Sequence, residues 1–68
     1  MTKDQVAAIR KKTGLSQAAF AKRYRLNART LAGWERSKHP LDAATTALLT
    51  IIDRNPIGAA AALLPPIA

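Results

Sequence analysis

The sequence predicts an all-α protein, a compact bundle of four to five short helices with a central helix-turn-helix. Three observations predict this class. The chain has only 68 residues, which is the size of one small domain. β-branched and polar residues do not alternate over any stretch long enough for a strand. Helix start signals and glycine or proline stops instead recur along the chain.

The first helix begins after Thr2. A glutamine three residues later has the spacing of a capping box, in which two side chains and two backbone N–H groups bond reciprocally. Val6 and Ile9 then lie on one apolar face. Gly14 stands where a helix ends in a left-handed residue. The pattern predicts a helix over residues 3–12.

Two short helices follow, joined by a tight connection. Ser16 and Asn27 are good N-caps, which predicts helices over residues 17–24 and 28–37. Because only three residues join them, the helices must cross steeply, with the small Ala21 where they touch. The apolar positions expected for such a helix-turn-helix are Phe20, Tyr24, Leu26, Leu31 and Trp34.

A fourth and a fifth helix are predicted in the second half. Pro40 interrupts the chain, and Asp42 is placed to cap a helix that runs to about residue 53. Asn55 and Pro56 have the order of an N-cap and a first helical residue. A short last helix therefore ends before the next proline pair.

Charge divides the chain into two parts. Residues 1–55 form a charged helix-turn-helix domain, and residues 56–68 form a neutral apolar tail. Eleven Lys and Arg against four Asp and Glu give a formal net charge of +7. This excess favours an anionic partner, nucleic acid before a membrane surface. Nine basic residues fall between positions 10 and 38: Arg10, Lys11, Lys12, Lys22, Arg23, Arg25, Arg29, Arg36 and Lys38.

The remaining residue types argue against catalysis. The chain has no cysteine and one histidine, His39, which excludes a disulfide framework, a thiol catalyst and a His- or Cys-rich metal site. The four acids have no spacing typical of a carboxylate site. We therefore expect no enzyme, no cofactor and no metal. No apolar run approaches the ~20 residues of a membrane span and no signal peptide is evident, which predicts a cytoplasmic protein.

Two segments resemble a known family. Residues 14–21, GLSQAAFA, are similar to the opening of the phage-repressor-like (Xre-type) helix-turn-helix DNA-binding family, and residues 27–36, NARTLAGWER, to its recognition helix. The resemblance covers about residues 4–60 and implies a lambda-repressor-like fold. The chain departs from the family pattern at Arg25, where the family usually has glycine. A left-handed turn there costs ~1 kcal/mol.

One branch of that family is closer than the others. The Trp34-Glu35 pair, the proline after it and the Ala47-Leu48-Leu49 segment leading to Asn55-Pro56 resemble small antitoxin-type autorepressors, and similar tails occur in anti-CRISPR-associated repressors. The resemblance also implies a salt bridge between Arg10 and Glu35, which would aim the arginine toward a DNA backbone.

The third helix can also be interpreted by its own geometry. Leu31 and Trp34 define its inward face, and Arg29 lies nearly opposite. Small neighbours let such a helix enter the major groove, where an arginine fork matches the O6 and N7 acceptors of guanine. The predicted base contacts are Asn27, Ala28, Arg29, Thr30 and Gly33.

Phosphate contacts are expected around this helix. Ser16 and Gln17 lie at the start of the second helix, where free N–H groups favour an anion, and the resemblance implies a DNA phosphate there. Lys38 follows the third helix, and Arg36 lies late in it. The predicted phosphate contacts are Arg10, Ser16, Gln17, Arg36 and Lys38.

The leading functional hypothesis is a sequence-specific repressor that binds a palindromic operator as a homodimer and controls its own operon. The alternative is an antitoxin that binds and neutralises a partner toxin protein, and both activities can coexist. A basic peptide on a membrane surface is disfavoured, because the tail lacks the charged face of such helices. A chain this small does not bury its apolar tail alone. The predicted dimer contacts are Ile57, Leu63, Leu64 and Ile67.

Overall fold

The computed structural model describes residues 1–64. These residues form five α-helices, joined by turns and short loops, and contain no β-strand. This confirms the predicted all-α class and the small helical bundle. The helices are α1 (Lys3–Thr13), α2 (Gln17–Arg23), α3 (Ala28–Trp34), α4 (Ala43–Arg54) and α5 (Pro56–Ala62).

Every helix begins at the polar residue that the sequence indicates. Thr2 and the glutamine three residues later form a complete capping box at α1. Ser16 Oγ accepts from the Ala19 N–H, and Asp42 Oδ1 accepts from the Thr45 N–H at 2.8 Å. Each cap satisfies a backbone donor that has no partner within its own helix. Asn27 and Asn55 begin α3 and α5 in the same way.

The end of α3 differs from the prediction. The helix ends at Trp34, whereas the sequence predicts helix to residue 37. Arg36 N–H donates to the Gly33 carbonyl and Ser37 N–H to the Trp34 carbonyl, which are the i→i+3 bonds of a tightening turn. Ser37 Oγ also bonds both backbone groups of His39, and such local bonds compete with helix.

Two other helix ends differ by one residue. α1 ends at Thr13, one residue late, and α2 ends at Arg23, one residue early, whereas α5 ends at Ala62, before the proline pair as predicted. After α2 the chain enters Arg25 with φ of 57°, the left-handed conformation that glycine usually supplies. Gly14, at the end of α1, has φ of 75° and fits the predicted C-cap.

The core is built from every helix. Phe20 and Tyr24 pack with their ring centroids 4.8 Å apart and their rings tilted by 49°, an arrangement that aromatic pairs prefer to a face-to-face stack. The buried apolar residues are Val6, Ile9, Phe20, Ala21, Tyr24, Leu31, Leu49, Ile52 and Ala59.

The last helix belongs to this core. α5 packs against α4 and buries Ala59. The hydroxyl of Tyr24 donates to the Pro56 carbonyl at 3.0 Å, which ties α5 to the end of α2. Gly58 leaves room for the Asn55 side chain that caps the helix, since a Cβ at this position would displace the end of that side chain.

None of the helices within residues 1–64 has the length and apolar character needed to cross a membrane.

Candidate nucleic-acid interface

The α2–α3 unit is held by a four-residue turn, residues 24–27. The Leu26 N–H donates to the Ala21 carbonyl at 2.7 Å, which turns the chain back onto α2. Ala21 is 2% exposed and lies where the sequence requires a small residue. α2 and α3 pack against each other across this turn. The turn therefore sets the position of α3 relative to the rest of the bundle.

The two faces of α3 differ sharply in chemistry. Leu31 is fully buried, and Trp34 is half-buried against the core, so both lie inward as predicted. Ala28, Arg29 and Thr30 are exposed in the first turn of the helix. The outer face of α3 therefore presents the guanidinium of Arg29 beside the small Ala28. The wall of a DNA groove could approach a helix face of this kind closely.

Two further predicted base contacts have constraints of their own. Asn27 is exposed, but its Oδ1 accepts from the Arg29 and Thr30 N–H groups as the helix cap. Its side-chain amide nitrogen remains to donate to a ligand. Gly33 is half-buried, and a Cβ placed on it would meet nothing within 4 Å.

Arg36 and Lys38 lie outside the helix. Both are exposed in the segment after α3, so the prediction that Arg36 lies late in the third helix is wrong. The reason is the early end of α3, after which the chain turns toward Pro40. The two cations nevertheless remain at the carboxyl end of the α2–α3 unit.

At the start of α2, Ser16 is exposed and Gln17 is half-buried. The Ser16 hydroxyl oxygen is used as the cap. The structure therefore keeps these two predicted phosphate contacts together on one helix end, close to Glu35, whose pKa the Gln17 side chain helps to lower.

The Arg10–Glu35 ion pair that the resemblance implies is present. Arg10 Nε donates to Glu35 Oε2 at 2.8 Å, and Nη2 donates to Oε1 at 3.0 Å. Nη1 donates to the Leu15 carbonyl at 3.0 Å. The guanidinium thus joins α1, the start of α2 and the end of α3. A phosphate contact from the same arginine stays a prediction.

The pair changes the titration of both groups. The hydrogen bonds from Arg10 lower the pKa of Glu35, although burial opposes them. The same bonds raise the pKa of Arg10. The side chains are 17% and 8% exposed, so solvent screens this pair less than a surface pair. Lys12 and Asp53 form such a surface pair at 2.8 Å.

The predicted dimer contacts within residues 1–64 differ in exposure. Ile57 and Leu64 are 84% and 70% exposed. Leu63 is half-buried against the core, so it mainly supports the packing of α5 in its own chain, since it follows the buried Ala59 by one turn. Ile67 lies outside the described residues. Ile51 of α4 is 57% exposed, although it is not among the predicted dimer contacts.

Sequence reasoning also missed a groove between the end of α2 and α5. Lys22, Arg23 and Arg25 border it on one side, and α5 supplies the other. The sequence contains both sides of this groove separately, one as a basic cluster and the other as apolar residues spaced by three and four in the tail. Nothing local predicts that they meet, because this depends on the position of α5.

The chain matches no protein-family model and no curated protein.

Proposed function

We propose that this protein is a sequence-specific DNA-binding transcriptional repressor that acts in the cytoplasm on its own operon. The exposed first turn of α3 carries the proposal: Arg29 lies outward beside Ala28 and Thr30, while Leu31 anchors the opposite face in the core. A helix presented in this way fits the major groove of duplex DNA. The net charge of +7 supplies attraction to phosphates.

The roles of the surrounding residues follow from their positions. Arg29 reads a guanine, and Asn27, Ala28, Thr30 and Gly33 lie along the same base-facing surface. Ser16, Gln17, Arg36 and Lys38 hold phosphates on either side. Arg10 and Glu35 keep the start of α2 and the end of α3 in register, since one guanidinium bonds all three segments.

We further propose a homodimer on a palindromic operator. Ile57 is the most exposed large apolar side chain within residues 1–64, and its surroundings include the Lys12–Asp53 pair, so both signs of charge are available to a second copy. Two recognition helices would then meet half-sites about 34 Å apart. Sedimentation of Ile57→Ser should show a shift toward monomer and a parallel loss of operator affinity. Unchanged association would refute this contact.

The base-reading role is tested on duplexes selected from a random library and on their single-base variants. Arg29→Ala should cost roughly 1–3 kcal/mol of binding free energy and relax specificity at one base pair. Lys38→Ala should weaken binding to all duplexes alike and flatten the salt dependence by about one phosphate.

Arg54→Ala is the matched control, because Arg54 is an exposed cation at the end of α4 that is not a predicted contact. It should change neither specificity nor affinity beyond a small general loss. An equal loss for Arg29→Ala on every duplex would make Arg29 a backbone contact. Failure of the wild type to select any duplex would refute the proposal.

A further inference from the structure

The groove between α2 and α5 combines an apolar floor with a cationic wall. Its volume is about 470 Å³, and Ala61, Leu63 and Leu64 contribute apolar surface. Leu64 is 70% exposed, while Leu63 is half-buried and packs against the core. The opposite wall is formed by Lys22, Arg23 and Arg25, and all three side chains are exposed.

No acidic side chain lines this groove. All four acidic side chains of the chain lie in its described part, and none of them lines the groove. Glu35 pairs with Arg10, Asp53 pairs with Lys12, and Asp42 caps α4. Within residues 1–64, the three cations therefore face the groove without a carboxylate from their own chain.

This charge disfavours a second copy of the chain as the occupant. Two copies docked groove to groove would bring both sets of cations together around the apolar contact, and like charges in contact are costly. The surroundings of Ile57 differ, because Asp53 lies there beside Lys12, whereas no acidic side chain lines the groove; Arg23 borders both sites. The surface around Ile57 is therefore the more suitable of the two for a second copy.

Arg25 adds an independent observation. It holds a left-handed backbone with φ of 57°, where glycine would be unstrained. Non-glycine residues in this conformation concentrate at functional positions. The arginine therefore places a cation at the groove at the expense of local backbone strain.

We propose that this groove binds an acidic amphipathic helix of another protein, with leucine-like side chains on the apolar floor and carboxylates against the three cations. A DNA backbone would satisfy the cations but leave Ala61 and Leu64 in water. A membrane surface would contact the exposed Leu64 but not the half-buried Leu63.

The test uses the full chain and a synthetic helical peptide of about four turns, with leucine at every third or fourth position and glutamate on both flanks. A second peptide carries lysine in place of each glutamate. Calorimetry should show binding of the first peptide alone, weakening with salt. Backbone resonances of Arg25, Ala61 and Leu64 should shift most.

Two variants separate recognition from folding. Leu64→Ser should raise the Kd about ten-fold or more through lost apolar burial. Arg25→Gly should raise the Kd about two- to five-fold, the effect of one exposed charge pair, and yet raise the melting temperature, because the backbone strain is relieved. Lys3→Ala, an exposed cation at the start of α1, should leave the Kd unchanged.

Three results would overturn the proposal. Equal binding of both peptides would show that the cations do not select the partner. Binding of phosphatidylglycerol vesicles that depends on Arg25 and Leu64, without binding of the glutamate peptide, would make the groove a membrane contact. Peptide binding only to a chain shortened after Leu64 would make residues 65–68 the occupant. Each outcome is independent of the DNA measurements.

Discussion

α3 and α5 have the same length and the same kind of start, yet they present opposite surfaces. Each has seven residues and an asparagine cap. α3 buries Leu31 completely and exposes Arg29, whereas α5 buries only Ala59 and exposes Ile57. Helices this short are not stable alone in water, so each depends on what it packs against.

This difference shows that the buried residues that hold a short helix in place and the residues that it exposes can vary independently. α3 is held by a large buried side chain and, at its end, by the Arg10–Glu35 pair. α5 is held by an alanine, by a half-buried Leu63 and by the bond from Tyr24 to the Pro56 carbonyl. The helix proposed to read DNA is thus the more firmly positioned of the two.

The largest expected effect concerns the anchors themselves. Leu31→Ala should lower the free energy of unfolding by about 2–5 kcal/mol, because it removes a fully buried side chain and leaves a cavity. Ala59→Gly should cost only about 1 kcal/mol, mainly from helix propensity. Urea unfolding at pH 7 checks both, and equal costs would contradict the proposed difference between the helices.

The polar contacts that hold α3 and α5 should rank in the same order as their buried side chains, with the larger effect at α3. Glu35→Gln leaves the Arg10 guanidinium without a counter-charge and should cost about 1–3 kcal/mol, less than a fully buried pair because solvent reaches part of it. Tyr24→Phe removes one hydrogen bond to α5 and should cost about 0.5–1.5 kcal/mol. Thermal unfolding checks the order, and a larger loss for Tyr24→Phe would reverse it.

Acid should weaken the ion pair that holds the end of α3. Because the folded pKa of Glu35 is lowered, its contribution is complete above the unfolded pKa of about 4.3 and is lost as pH falls through the folded value. The stability gap between wild type and Glu35→Gln should therefore close as the pH drops below about 4. Asp42→Asn is the comparison at α4, because hydrogen bonds from the Thr45 side chain and backbone lower the pKa of Asp42, so its stability gap should also narrow in acid. A gap that is constant with pH would count against the ion pair.

The two asparagine caps provide a matched pair of smaller changes. Asn27→Ala and Asn55→Ala should each cost about 0.5–2 kcal/mol, since each leaves a helix N-terminus without its side-chain acceptor. Only Asn27→Ala should also reduce affinity for selected duplexes, because Asn27 adjoins the proposed base-reading turn. Equal effects of the two variants on DNA binding would remove that distinction.

The glycines should show the smallest effects. Gly33→Ala should raise the free energy of unfolding by up to about 1 kcal/mol, because open space surrounds the new methyl group. Gly58→Ala should bring no gain, because its Cβ would displace the capping side chain of Asn55. Denaturant midpoints check this, and a clear stabilisation by Gly58→Ala would show that the cap is dispensable.

Local signals in the sequence were sufficient to predict the helices and where each one begins. Caps and stops act within a few residues, so the starts of all five helices follow from side chains such as Thr2, Ser16 and Asn55. The end of α3 was not predictable in this way, because a serine turn at Ser37 replaces the last helical turn.

The candidate DNA surface was also largely readable from the sequence. Leu31 and Trp34 mark the inward side of α3 by their spacing, and Arg29 is then outward on any helix. Arg36 was misplaced because its position was extrapolated along a helix that ends at Trp34.

The sequence by itself determined the all-α class, the helix starts and the outward position of Arg29, because caps and helical periodicity act over one or two turns. Only the tertiary structure decided that Leu63 lies half-buried while Leu64 is exposed, and that Lys22 and Arg25 face α5 across a groove. The packing of α5 against α4, with the bond from Tyr24 to the Pro56 carbonyl, brings together residues more than thirty positions apart in the sequence. Caps and helical periodicity act over only one or two turns, so they do not predict such contacts.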